Sequence, residues 1–376
     1  MGRDRDKEAL EAFMAYYRSC ASSLKKHKKE LNRRLAKDPN PLIRTFRSDL
    51  ADLNDGGKNL RGVLVELGYR LGGGKDPEHA MDLALAFEMF QTAVLVHDDI
   101  IDNADMRRGK MTIQNRYEDR LEVRDIRILS AQETEPALAK SAALCAGDLG
   151  LFYSNLILAE AYADDPKANA IIAEFDRVAI DTIRGELLDV VLPYELQDSS
   201  YTDEQRAELL EKSVADIYHL KTSRYSVVGP LHLGLMLAGA DDALIRRTDS
   251  FADDIGIAYQ IMDDILGIYA DEYVLGKDVG SDISEYKQTI LYMYVKNHAP
   301  EYVERLEKHY GSPNVTEQDV EKVQDIFRES GALDYARGSM NSCFARAERK
   351  ISRLKVPDED KMLLRGFIGY CRGRRK

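Results

Sequence analysis

The sequence predicts an all-α protein organised as a single domain, and three observations carry that expectation. Ala, Leu, Glu, Lys, Arg and Asp dominate the composition, whereas the period-two alternation of half-buried strands is scarce. Apolar residues recur instead at helical spacing, through long runs free of Gly and Pro. No fixed-period repeat appears, and no linker rich in Pro, Gly or Ser divides the 376 residues. A chain of this length can bury one large core.

The elements follow in order. Residues 6–38 read as a helix that Pro39 and Pro41 stop, and its basic end, KKHKKELNRR, reads as a solvated face. A glycine turn opens GGKNLR at 56–61. The loop GYRLGGGKDP closes on Asp76 as N-cap with Pro77 at the first helical position. From Pro77 a single helix, EHAMDLALAFEMFQTAVLVHDDIID, runs to Asp102. Residues 103–117 read as an irregular loop, and the charged stretch 118–137 suits helix or loop equally. Helices resume at 138–163, 166–192 and 203–239, separated by DDP and PYELQDSSYTD. An apolar run at 249–270 leads into the glycine-punctuated loop EYVLGKDVGSDISEYKQT, and amphipathic helices complete the chain.

A formal net charge of -12 makes the molecule repel nucleic acid and anionic membranes, so any anion binding must be local. The start, MGRDRDKEALEAF, has no contiguous apolar core of a secretory signal. No apolar run approaches the ~20 residues a spanning helix needs, so stable membrane insertion is not expected. Cys20, Cys145, Cys343 and Cys371 are far apart and form no CxxC pair, which suits a reducing cytoplasm rather than disulfides or zinc.

Two acidic clusters each end a long apolar run of helical period: Asp98, Asp99 and Asp102 in HDDIID, and Asp263, Asp264 and Asp271 in QIMDDILGIYAD. Residues four apart share a helix face, so Asp98 and Asp102 present two carboxylates together while Asp99 points sideways. That repulsion sits at a helix C-terminus, where the dipole worsens it. A divalent cation relieves it, and Mg²⁺ suits the arrangement because it takes one or two carboxylates and completes its shell with water and substrate phosphate. A solvated acidic face is the competing reading of either cluster alone. Cations of the kind a diphosphate needs lie nearby in sequence: Lys58 and Arg61 in GGKNLR, Arg107 and Arg108 after the first cluster, Lys221 in HLKTSRYS, and Lys277 and Lys287 after the second. His97 precedes the aspartates but reads as structural, since Mg²⁺ prefers oxygen.

The stretches GGKNLR, LVHDDIIDNADMRRG, LKTSRYS, YQIMDDILG and GKDVGSDISEYKQT, in this order over roughly residues 56–290, closely resemble the trans-isoprenyl diphosphate synthases, or polyprenyl synthetases. The likeness looks nearest to bacterial geranylgeranyl-type enzymes. It implies a bundle of long helices around a central cavity, usually a homodimer. It also implies that Asp98, Asp102 and Asp263 bind a Mg²⁺ cluster gripping an allylic diphosphate, which Arg107, Lys221 and Lys277 contact. Isopentenyl diphosphate would be held by Lys58, Arg61, Gln91 and Arg108, with Lys287 also assigned to substrate. Thr222 and Gln260 would stabilise charge near the reacting carbons. Gly267 stands where many relatives carry a third aspartate, leaving that cluster a thinner ligand set that Asp271 partly compensates. A class I terpene cyclase shares the acidic helix but has no use for an isopentenyl site. A catalytically silent partner subunit tends to lose an acidic motif, and both are present here.

Product length is read from the helix before Asp98. One turn back stand Ala93 and Val94, both too small to block a growing chain, and Phe90 follows roughly 12 Å from Asp98 along the axis. By analogy with the family, the chain passes Ala93 and Val94 and meets a floor at Phe90, which favours geranylgeranyl diphosphate over farnesyl or longer products.

Overall fold

The computed structural model describes residues 2–123, 135–269, 280–312 and 314–373. These are almost entirely helical, as the composition predicts, with one two-residue-per-strand hairpin. They group into two compact units: Tyr17–Ile172, and Met1–Tyr16 with Ala173–Lys376.

In the first unit, α1 (Gly2–Leu35, from Tyr17 onward), α2 (Pro41–Asp55), α3 (Leu60–Leu71), α4 (Met81–Ile101), α5 (Ile113–Val123) and α6 (Glu135–Ala161) enclose a core around α4. Asp76 does cap with Pro77 behind it, accepting from Glu78 N at 3.1 Å, but the turn it opens is a 3₁₀ turn at Pro77–Ala80 that precedes α4. Apolar residues on most faces of α4 are buried, among them Leu83, Phe87, Met89, Phe90, Ala93 and Val96, as expected of a helix that neighbours surround. Its closest partner is α6, where Gly150 lies so near that an added Cβ would stand 2.8 Å from the Ala93 methyl. At the level of Ala93 the two helices therefore touch.

The stretch 103–117 is not irregular. Met106–Arg107 pairs antiparallel with Lys110–Met111, and the connecting Arg108 and Gly109 both have positive φ (56° and 74°), which is the signature of a type I′ hairpin turn. Helix α5 then begins at Ile113. Two helices, Pro77–Ile101 and Ala137–Ala161, are each 25 residues long and apolar enough to span a membrane by length and composition, contrary to the sequence expectation. The first is mostly buried inside the protein; the second leaves Leu144, Phe152 and Leu156 exposed.

The second unit holds α7 (Ala168–Glu195, from Ala173), α8 (Asp203–Ile217), α9 (Gly229–Ala238), α10 (Asp242–Tyr269) and the C-terminal helices Glu317–Glu329, Ala332–Ser352 and Asp358–Arg372. The expected single helix at 203–239 is three pieces, because residues Tyr218–Val228 between α8 and α9 form a π-helix. A wide turn of this kind adds a residue to the helical path and is often found where function needs a side chain re-aimed. Lys221 and Thr222 lie in it. Helix α10 packs along this π-helix and along Ala332–Ser352.

Candidate active site

In the first unit the site is built at the C-terminal end of α4. The three aspartates divide by burial: Asp99 is 2% exposed, whereas Asp98 and Asp102 are only partly buried. Arg107, delivered by the hairpin, donates from Nε to Asp99 Oδ1 at 2.5 Å and from Nη2 to Asp98 Oδ2 at 2.9 Å. Burial raises the Asp99 carboxyl to about 6; Arg107 opposes the rise, and Asp98 and Asp102 add to it. Asp99 thus anchors Arg107 from below, and its Oδ2 has no hydrogen-bond partner. Asp98 and Asp102 stand beside it, each only partly buried. His97 reaches Leu144 O at 3.2 Å and Asp148 at 3.4 Å on α6, a bridge between helices.

The same unit holds the GGKNLR loop, whose Gly57 and Asn59 have positive φ (93° and 54°). Lys58 is exposed, Arg61 and Gln91 are partly buried, and Arg108 lays its guanidinium over Gly56 and Gly57 while donating to Leu53 O at 3.2 Å. An added Cβ on Gly57 would stand 2.8 Å from that guanidinium, so the glycine pair is what admits Arg108 to the loop. Phe90 and Ala93 are buried and Val94 is half-buried.

In the second unit, Lys221 of the π-helix donates to Asp189 at 2.6 Å and meets Glu186 at 2.8 Å, both on α7. Gly185 lets α7 approach this closely, since its Cβ would fall 2.4 Å from Lys221 N. Lys287 reaches the same Asp189 at 3.4 Å and Glu285 at 3.5 Å. Burial pushes the Asp189 carboxyl up, but the charges of Lys221 and Lys287 outweigh it and hold the group at about 2. A side-chain relay runs beside this pair. Thr222 donates to Gln260 Oε1 at 2.5 Å, Gln260 Nε2 donates to Asp264 Oδ1 at 2.7 Å, and Tyr218 Oη donates to Asp264 Oδ2 while accepting from Ile290 N at 2.8 Å. Burial raises the Asp264 carboxyl to about 7, with the hydrogen bonds from Tyr218 and Gln260 opposing. Asp263, its neighbour, is only partly buried. Among the described residues, each cluster therefore has one buried aspartate fixing other side chains, with partly buried aspartates beside it.

Gly267 has a physical counterpart: the Asp282 carboxylate occupies its side-chain position, 2.1 Å from where a Cβ would stand. A carboxylate is thus present beside Asp263's helix, supplied from outside it. Lys277 and Asp271 lie outside the described residues. Asp282 lies within the quoted GKDVGSDISEYKQT stretch without having been singled out, and Asp189, Glu186 and Tyr218 lie outside every quoted motif. GELLD offers the one usable signal, two acids three apart on an apolar helix.

Among the described residues no three His, Cys, Asp or Glu side chains converge closely enough to hold a metal unaided. The partly buried carboxylates of Asp98, Asp102 and Asp263 are hard oxygen donors of the type Mg²⁺ takes.

The polyprenyl synthetase family model matches residues 48–327. A geranylgeranyl diphosphate synthase of Sulfolobus acidocaldarius is 31% identical over 285 residues, 75% of this chain and 76% of that protein. A geranylfarnesyl diphosphate synthase of Aeropyrum pernix is 30% identical over 322 residues, 84% of this chain and 89% of that protein. Among solved structures, a geranylgeranyl pyrophosphate synthase from Corynebacterium glutamicum, complexed with isoprenyl diphosphate and magnesium, shares the fold at a TM-score of 0.78, with 23% identity and 98% of both chains covered. With the acidic helix ends, the cations held beside them and these likenesses in view, the chain belongs to the polyprenyl synthetase family and is a trans-prenyltransferase.

Proposed function

We propose that this enzyme condenses isopentenyl diphosphate with an allylic diphosphate in the presence of Mg²⁺ and releases geranylgeranyl diphosphate. The observation that carries the reading is the division of each acidic cluster into a buried anchor and partly buried carboxylates, with Arg107 and Lys221 already held in place. Asp98 and Asp102 in the first unit, and Asp263 in the second, would each bind Mg²⁺, which when bound neutralises the leaving diphosphate. Arg107, fixed by Asp99, and Lys221, fixed by Asp189 and Glu186, are cations whose positions do not change as charge develops, the condition under which electrostatic stabilisation is most effective. Lys58, Arg61, Gln91 and Arg108 would take the isopentenyl diphosphate. The Gln260 carboxamide is locked at both ends, so its dipole and the Thr222 hydroxyl keep one orientation toward a developing carbocation. The proton lost on condensation goes to the released diphosphate.

The test is product analysis after incubation with Mg²⁺, labelled isopentenyl diphosphate and dimethylallyl, geranyl or farnesyl diphosphate. Metal-dependent linear product supports the reading, and no incorporation with any primer sinks it. The names of the relatives run from geranylgeranyl to octaprenyl products, so the choice rests on α4, where Ala93 is closed against Gly150 of α6 and a path toward Phe90 would run beside Val94 instead. Phe90→Ala is expected to shift the main product upward by at least one isoprene unit, read by mass spectrometry; unchanged length places the floor elsewhere.

We also propose a homodimer. On α7, Ile180, Ile183, Leu187, Val190 and Tyr194 are 56%, 52%, 59%, 37% and 74% exposed, at alternating three- and four-residue spacing. A seam of that period is the pattern one helix presents to another, and leaving it in water forgoes about 1.5 kcal/mol or more per side chain. Ile183→Glu with Leu187→Glu is expected to give monomers in sedimentation velocity; a wild-type protein that is itself monomeric would refute the dimer.

A further inference from the structure

Lys28 is the one member of its basic run to go inward: Lys25, Lys26 and Lys29 are exposed, while Lys28 is 1% exposed. Its ammonium donates to Gly56 O at 3.1 Å and to Asn59 Oδ1 at 2.7 Å, and lies 3.8 Å from the Glu88 carboxylate. Glu88 in turn accepts from Gly62 N at 3.0 Å. Tyr17 Oη, also on α1, donates to Lys58 O. The turn Gly56–Asn59 thus has three of its four residues tied to α1.

The arrangement alters how α3 begins. Asn59 is an N-cap residue by type, yet it makes no side-chain capping bond, because its φ of 54° and its bond to Lys28 turn the amide away. The α3 amide at Gly62 is satisfied instead by Glu88, whose negative charge also suits a helix N-terminus. Gly62 has no room for a side chain, since its Cβ would meet Leu24 of α1 at 2.3 Å. A buried ammonium and carboxylate are costly in themselves and are kept only where each is bonded on several sides, as these are.

We infer that Lys28 is a positioning residue for isopentenyl diphosphate: with Glu88 it fixes the turn so that Lys58 and Arg61 are presented at a set distance from Arg108. This rests on the substrate reading above and adds to it a determinant in α1, outside the motifs.

The test uses the full-length enzyme, varying isopentenyl and geranyl diphosphates separately, with hydrogen exchange followed in peptides covering residues 56–62. Lys28→Met is expected to raise the isopentenyl diphosphate KM roughly tenfold, to leave the geranyl diphosphate KM within about twofold, and to speed exchange at Gly62 by about tenfold or more. Lys28→Arg should recover part of the loss. If Lys28→Met does not fold, Asn59→Gly removes only the acceptor while keeping a backbone glycine tolerates, and should show the same split more weakly. Equal rises in both KM values, or unchanged exchange at Gly62, would overturn the inference. Should the wild type incorporate no isopentenyl diphosphate, the substrate reading fails on its own, and exchange at Gly62 still decides whether Lys28 holds the turn.

Discussion

Asp98→Asn is expected to lower kcat/KM by about 10³-fold, a loss of about 4 kcal/mol in transition-state stabilisation, without loss of folding. The two effects separate because of where Arg107 is held. Its Nε bond to the buried Asp99 survives, and only the Nη2 contact with Asp98 at 2.9 Å weakens. Asp98 also sits among like charges at the C-terminal end of α4, so removing its charge relieves repulsion worth a few tenths of a kcal/mol. The melting temperature should therefore hold or rise slightly as activity falls. Asp99→Asn should show the reverse order of damage, since it strips the buried anchor from Arg107. Thermal melts with Mg²⁺ and pyrophosphate supply a check independent of turnover: the stabilisation they give the wild type should vanish in Asp98→Asn. Retained activity in that variant would remove Asp98 from the metal-binding set.

What could be read from the sequence is what is local in it. The helix before Asp98 announces itself because it lacks Gly and Pro and carries apolar residues on nearly every face. The acidic pairs Asp98–Asp99 and Asp263–Asp264 are visible because their members are adjacent in sequence on a helix. Which aspartate is buried depends on tertiary packing, and spacing alone only turns Asp99 sideways without saying that it anchors Arg107. The hairpin at 106–111 escaped because its strands are two residues long and its turn uses Arg108, a residue seldom found at positive φ. The π-helix at Tyr218–Val228 has helical periodicity on both sides, and the Gly229–Pro230 pair after it marks where it ends without showing that its turns are wide. Lys28 was hidden among exposed lysines, and Asp189 lies on a helix that carries none of the motifs. In each of these cases the deciding partner is distant in sequence: Gly56 for Lys28, and Lys221 and Lys287 for Asp189.

Lys221→Met is expected to cost about 10²-fold or more in kcat/KM and about 2 kcal/mol of stability, and the pH dependence of the second loss identifies its source. In the wild type the Asp189 carboxyl is held at about 2, against 3.8 without the fold. A depressed carboxylate contributes stability that is fully present above the unfolded value and is lost as pH falls through the folded one. The shift of nearly two units corresponds to about 2 kcal/mol. Without Lys221, only Lys287 at 3.4 Å remains to offset the burial of Asp189, so most of that contribution is already missing at pH 7. Urea melts should therefore show the largest gap between variant and wild type near neutrality, narrowing as the pH is lowered from about 4 toward 2. Adding Asp189→Asn should restore stability by removing the stranded charge, because the cost lies in a buried carboxylate left short of partners. It should not restore activity, because the cation proposed to meet the diphosphate is still absent. A double variant that recovered turnover along with stability would show that Lys221 serves the fold alone.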